Sequence, residues 1–276
     1  MPLLKRRETD MLKSLFERDS GRGNPSMKPT ARAHIEAKER LIFALDVSDE
    51  DEAKRLVELL GDQISFFKVG LELFTATGFK VVDWLLGRNK QVFLDIKWLD
   101  IPETVGAVVR VASKRGVHFA TVDGNGGSEM MRAAAANRSG DLRLLCLTVL
   151  TSLNNHVLRE MGKDFTVEGL VELRTKDAIQ SGMDGVITSG REVSLVRKIA
   201  DSQQKEDFLI VTPGMRLPGT SRDDHRRAQD PESAVRDGAD YIVVGRPIRC
   251  ATNPKEEARR FIEAIDRGLS SRSVAV

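Results

Sequence analysis

Four charged side chains stand where a buried strand normally carries apolar ones, and a fifth follows in the loop after two of them. In the run FLDIKWLDIPETV, residues 93–105, Phe93, Leu94 and Ile96 read as strand, yet Asp95 and Lys97 interrupt it two positions apart. A strand's period of two sends both to one face. Asp100 follows in the loop, before Pro102 fixes a backbone angle from which a helix can start. Lys68 ends the run FFKVG and Asp46 the run LIFALDV. Buried charges are expensive unless paired or used. Acid, base and acid in succession, with a further charge ending each of two earlier strands, therefore read as a built site. An ammonium held between carboxylates is a tool for stabilising negative charge. The structural alternative is an ion pair that caps a strand.

A second group lies toward the C-terminus. The run TPGMR, 212–216, and the pair Gly245 and Arg246 both follow apolar runs. Glycines let backbone N–H groups approach oxygen atoms, and arginine adds a forked, permanent charge, which suits a phosphate; a solvated turn is the alternative. Thr148, Thr151 and Ser152 add hydroxyls at the end of another run.

These residues need a scaffold that gathers strand ends. From residue 41 the chain repeats a short aliphatic run, a polar or glycine-bearing turn and a stretch with helical spacing. The spacing predicts strands at 41–47, 65–69, 91–97, 119–122, 142–150, 185–188, 208–212 and 241–245. Helices are predicted up to residue 60, with Ser48 as its cap, and at 71–86, 103–114, 128–136, 167–180, 192–200, 231–237 and 255–268. Eight alternations are what a parallel (β/α)8 TIM barrel of the α/β class requires, and its catalytic groups belong at the C-terminal ends of the strands. Phosphate in such barrels sits after strands seven and eight, where TPGMR and Gly245-Arg246 fall. A doubly wound open sheet is the other arrangement with this pattern.

With 276 residues, 41% hydrophobic, the chain is long enough for one large core. Of its 43 basic and 41 acidic residues, ten and six fall in 1–40, leaving 33 against 35 and no expectation of nucleic-acid binding. No apolar run approaches the roughly 20 residues that span a bilayer, so no membrane association is expected. Glu8, Asp10, Glu17 and Asp19 break any secretory signal. Cys146 and Cys250 have neither metal-ligand spacing nor a disulfide framework, and a cytoplasmic setting is expected. The predicted organisation is an N-terminal extension at 1–39, a catalytic barrel at 40–270 and a tail at 271–276.

Across about residues 40–268 the chain resembles the orotidine 5'-phosphate decarboxylase family. The resemblance rests on Lys68 with DIKWLDIPETV, which looks like that family's DxKxxDIPxTV signature, and on LDV at 45–47, LTS at 150–152, TPGMR, and VVGRPI ending at Ile248. It implies conversion of orotidine 5'-monophosphate to UMP without metal or other cofactor. Lys97 would be the proton donor within an array of Lys68, Asp95 and Asp100. Asp46 and Lys68 would hold the ribose, Thr151 or Ser152 would lie near the pyrimidine, and Arg216, Gly245 and Arg246 would serve the phosphate. A homodimer is implied, with Asp100 and Thr104 completing the partner's site. The chain departs from the pattern at Trp98 and Glu103, where Phe and Asn are common, and at Asp123, where many members have His. His225 stands where a Gln that bridges phosphate and base is frequent, so its protonation bears on binding near neutral pH. A related magnesium-dependent decarboxylase of a keto-gulonate phosphate shares DxKxxD but would want an acidic ligand where Lys68 stands. A non-catalytic sugar-phosphate or nucleotide sensor would carry a broken charged array, and this one is whole.

Overall fold

The computed structural model describes residues 35–218 and 229–273. Most of the expected N-terminal extension, half of the expected tail and His225 lie outside the described residues. Eight parallel strands close into one barrel in sequence order: β1 (Leu41–Ala44), β2 (Phe66–Gly70), β3 (Gln91–Trp98), β4 (Phe119–Asp123), β5 (Arg143–Leu147), β6 (Gly185–Ile187), β7 (Leu209–Pro213) and β8 (Tyr241–Val244). Closure is carried by β1 against β8, with Ile42 opposite Val243, so the open-sheet alternative falls away.

Helices α1 (Glu50–Leu60), α2 (Leu71–Thr77), α3 (Lys80–Leu86), α4 (Pro102–Arg115), α5 (Gly127–Ala136), α6 (Asn155–Glu160), α7 (Val167–Gln180), α8 (Val193–Ser202), α9 (Pro231–Arg236), α10 (Arg246–Arg249) and α11 (Pro254–Ser273) surround it. None among the described residues is long and apolar enough to cross a membrane. Strand alternation divides the core. Leu41, Phe43 and Leu45 pack toward the helices, while Ile42 and Ala44 face the barrel interior with Phe66, Phe93, Phe119, Leu145 and Tyr241. Phe66, Phe119 and Tyr241 meet edge to face, with centroids 4.9, 5.0 and 5.9 Å apart, and floor the interior below the strand ends.

Local details correct the sequence expectations. Asp49, not Ser48, caps α1: its carboxylate accepts the Glu52 N–H at 2.8 Å, and three acidic residues in the first turn favour the same helix end. The stretch expected as one helix over 71–86 is two, because Gly78 takes φ 58° and stops α2. Strands β1 and β5 end at Ala44 and Leu147, before the expected 47 and 150, where the chain must splay to open a mouth. At the opposite end Ile35 packs against the interior cluster. Arg40, fully buried, donates to the carbonyls of Ile35 at 2.9 Å and Asp240 at 3.1 Å, so packing reaches back before residue 40.

Candidate active site

The inward positions of successive strands carry apolar residues at the floor and charged ones at the rim. In β2, Phe66 sits in the aromatic floor and Lys68 follows one inward step above it. In β3, Phe93 is followed inward by Asp95 and then Lys97, while Ile96 and Trp98 pack on the helix side. Asp46 takes the next inward step beyond Ala44.

These four groups form one row. Lys68 Nζ lies 2.8 Å from Asp46 Oδ1 and 3.6 Å from Asp95 Oδ2, and Lys97 Nζ lies 2.9 Å from Asp95 Oδ1. The buried Thr121 hydroxyl on β4 donates to the same Asp95 oxygen at 2.7 Å. Burial alone would pull the Lys68 ammonium down, but the carboxylates of Asp95 and Asp46 outweigh it and hold its pKa above the ordinary lysine value. Burial likewise pushes Asp95 up, and Lys68 and Lys97, helped by hydrogen bonds from Lys97 and Thr121, bring it below the ordinary carboxylate value. Lys68 is thus clamped between two acids. Lys97, with a third of its side chain exposed, is the more open of the two ammonium groups that line the cavity.

The sequence placed Lys97 by simple alternation along a strand, and the backbone departs from that. The β3–β4 ladder pairs Leu94 with Ala120 and then Trp98 with Val122, so four steps on one strand match two on the other. Lys97 takes φ 55°, a conformation uncommon for a residue with a β-carbon and costing on the order of 1–3 kcal/mol. Inward and outward parity survives because the bulge absorbs two extra residues.

The cavity continues past this row to Gly245, Arg246, Pro213, Gly214 and Arg216. Gly214 has φ 78°, which an L side chain rarely adopts. Arg216 is held below the ordinary arginine value by burial and then by the charge of Arg246. Two guanidinium groups that repel each other across a cavity rim gain from an intervening dianion. Between the two poles lie Leu147, Val149, Leu150, Thr151 and Ile187, a mostly apolar wall suited to a flat ring.

Among the residues singled out from sequence, Asp46, Lys68, Asp95, Lys97, Thr151, Arg216, Gly245 and Arg246 line this cavity. Ser152, Asp100 and Thr104 are exposed and stand outside its lining. Asp100 accepts the Ile101 N–H at 2.7 Å, between the exposed Leu99 and Ile101. Thr148 does not reach the cavity; its buried hydroxyl donates to the Ile187 carbonyl at 2.8 Å. Cys146 is fully buried, and burial pushes its thiol up to about 12, so it stays protonated. The sequence reading missed Thr121, Gly70 and the apolar wall. Strand parity would have found Thr121, two residues beyond Phe119, and Gly70, two beyond Lys68.

Residues 39–261 match the orotidine 5'-phosphate decarboxylase / HUMPS family. The chain belongs to that family. A Methylococcus capsulatus protein named orotidine 5'-phosphate decarboxylase is 49% identical over 228 residues, covering 82% of this chain and 91% of the relative. One of the same name from Pelobacter propionicus is 43% identical over 238 residues, 84% and 98% of the two chains. The crystal structure of orotidine 5'-phosphate decarboxylase from Lactobacillus acidophilus superposes with a TM-score of 0.71 at 35% identity, covering 83% of this chain and 99% of that one. For this member of the orotidine 5'-phosphate decarboxylase / HUMPS family, the matched span takes in every cavity residue named above.

Proposed function

We propose that the chain decarboxylates orotidine 5'-monophosphate to UMP and carbon dioxide, a step of de novo pyrimidine biosynthesis. The observation that carries this reading is the row Asp46, Lys68, Asp95 and Lys97 at one end of a cavity whose other end holds Arg216 and Arg246. The names of its relatives support the same substrate.

Breaking the bond between C6 and the carboxylate leaves an electron pair on a ring carbon with no neighbouring π-system aligned to receive it. Lys97 Nζ stands beside that carbon, stabilises the pair and passes it a proton. Carbon dioxide leaves, and Lys97 regains its proton from solvent. Two unit charges about 4 Å apart at an effective dielectric near 20 interact by roughly 4 kcal/mol, short of the roughly 8–23 kcal/mol by which enzymes lower barriers. The remainder comes from a row aligned before substrate arrives and from binding energy at the phosphate end. Asp46 and Lys68 hold the ribose, and Thr151 lies along the pyrimidine. Asp100 and Thr104 complete the site from a second copy of the chain.

The test is loss of orotidine 5'-monophosphate absorbance on mixing with purified protein, with and without a chelator. Turnover that survives the chelator and disappears in Lys97→Ala supports the reading. Activity only on a keto-gulonate phosphate, and only with magnesium, overturns it.

A further inference from the structure

We propose that Thr121 is a positioning residue for the reaction, its hydroxyl fixing the orientation of Asp95 across the break in the β3–β4 ladder. On the β4 side the break leaves Asp95, Ile96 and Lys97 without register partners, while Asp95 keeps Gly70 opposite it on β2, and Thr121 is the single β4 residue between the flanking pairs Leu94–Ala120 and Trp98–Val122. The segment that carries both central charges is therefore held by regular pairing on one side at most, at Asp95, and Lys97 within it adopts φ 55°.

Thr121 supplies a tie in place of that ladder. Its side chain is fully buried, and its Oγ1 donates to Asp95 Oδ1 at 2.7 Å. An ionised carboxylate only accepts, so the hydroxyl proton points at Asp95. Lys97 draws on the same oxygen at 2.9 Å, leaving Oδ2 toward Lys68 at 3.6 Å, beyond hydrogen-bond length. This placement is uneven and needs a restraint. Without the hydroxyl the carboxylate turns, Lys68 draws Oδ2 in, and the spacing between the two ammonium groups changes. Thr121 does not itself line the cavity, and its hydroxyl reaches the site through Asp95, which does.

The kinetic part of this inference rests on the decarboxylase reading. The experiment measures kcat and KM for orotidine 5'-monophosphate in wild type, Thr121→Val and Thr121→Ser, and titrates the Asp95 carboxyl in each by carbon-13 NMR. Valine keeps the shape and burial and removes the donor; serine keeps the donor. The expected result for Thr121→Val is a kcat lower by about tenfold or more with KM within about twofold, and an Asp95 titration moved upward; Thr121→Ser stays near wild type in all three. A Thr121→Val enzyme with unchanged kcat overturns the proposal, as does an unmoved Asp95 titration. A Thr121→Ser enzyme as impaired as Thr121→Val does so too, since packing would then be the cause. If Thr121→Val does not fold by thermal unfolding, Thr121→Ala takes its place. Were the wild type inactive on this substrate, the functional reading would fall, and the Asp95 titration would still decide whether the tie exists.

Discussion

A β-carbon on residue 70 would lie 2.7 Å from Lys68 Nζ and 3.1 Å from Asp46 Oδ1, so the absence of a side chain at Gly70 is what lets these two charges meet. The nearer atom is the end of a flexible chain, which can retreat without moving the backbone. Gly70→Ala is therefore expected to fold with a nearly unchanged unfolding midpoint and to displace the Lys68 ammonium from Asp46. A shift of about 1 Å in such a group costs about 10²-fold in rate. A fall of that order in kcat/KM, with the melting curve preserved, is the outcome to look for; a destabilised but fully active variant would mean that Lys68 needs no such clearance.

The barrel was legible because alternating burial is local: Ile42, Phe66, Phe93 and Phe119 announce inward faces, and the charges that follow them at the rim stand out against it. The acid and base residues were legible for the same reason, since a lone Lys68 or Asp95 in an apolar run has few bland explanations. What stayed hidden depends on a neighbouring strand. The bulge at Asp95–Lys97 exists only relative to β4, the clearance at Gly70 only relative to Lys68 and Asp46, and the Thr121 hydrogen bond only once β3 and β4 are side by side. Asp49 and Ser48 are both good caps by type, and only the bond to Glu52 distinguishes them. Asp100 was picked out by its place after Asp95 and Lys97, its delivery to a partner and Thr104 by resemblance, and a single chain leaves both residues exposed outside the cavity lining.

The row's contribution to the pH dependence of stability follows from its two shifted groups, Lys68 and Asp95. Lys68 is raised in the fold, so its contribution is complete below the ordinary lysine value of about 10.4 and is lost as pH rises through its higher folded value. Asp95 is lowered, so its contribution is complete above the ordinary aspartate value of about 3.9 and is lost as pH falls through its lower folded value. Between these limits the row contributes a constant amount. Urea unfolding across the range is expected to show a plateau for this contribution, with an acid-side loss in wild type that shrinks in Asp95→Asn. An acid-side slope identical in the two proteins would mean that Asp95 is not held ionised by its neighbours.

Arg246→Ala separates binding of the phosphate from chemistry at the ring. Arg246 and Arg216 line the end of the cavity away from Lys97, with charges close enough for one to depress the other. A hydrogen bond to a charged group contributes roughly 1.5–3 kcal/mol, or about 10–150-fold in affinity. Calorimetric titration is expected to show UMP binding weakened by about that factor while uridine binding, weak in both proteins, does not change. Equal losses for the two ligands would place the phosphate elsewhere.

Asp100 offers a test of whether two chains build each site. It sits on the loop between β3 and α4, exposed and flanked by Leu99 and Ile101, whose side chains are 54% and 63% exposed in the single chain. If a second copy covers this face and receives Asp100, then Asp100→Ala and Lys97→Ala are each inactive alone but complementary together. A mixed dimer holds one site with neither substitution and one with both. Random exchange makes about half of the dimers mixed, so about a quarter of all sites are intact. Unfolding and refolding the two inactive proteins together is expected to restore about a quarter of wild-type turnover, with sedimentation giving twice the 30.6 kDa chain mass. Recovery near zero from a properly dimeric mixture would mean that Asp100 serves its own chain, because only delivery across the interface can rebuild a site from two defective chains.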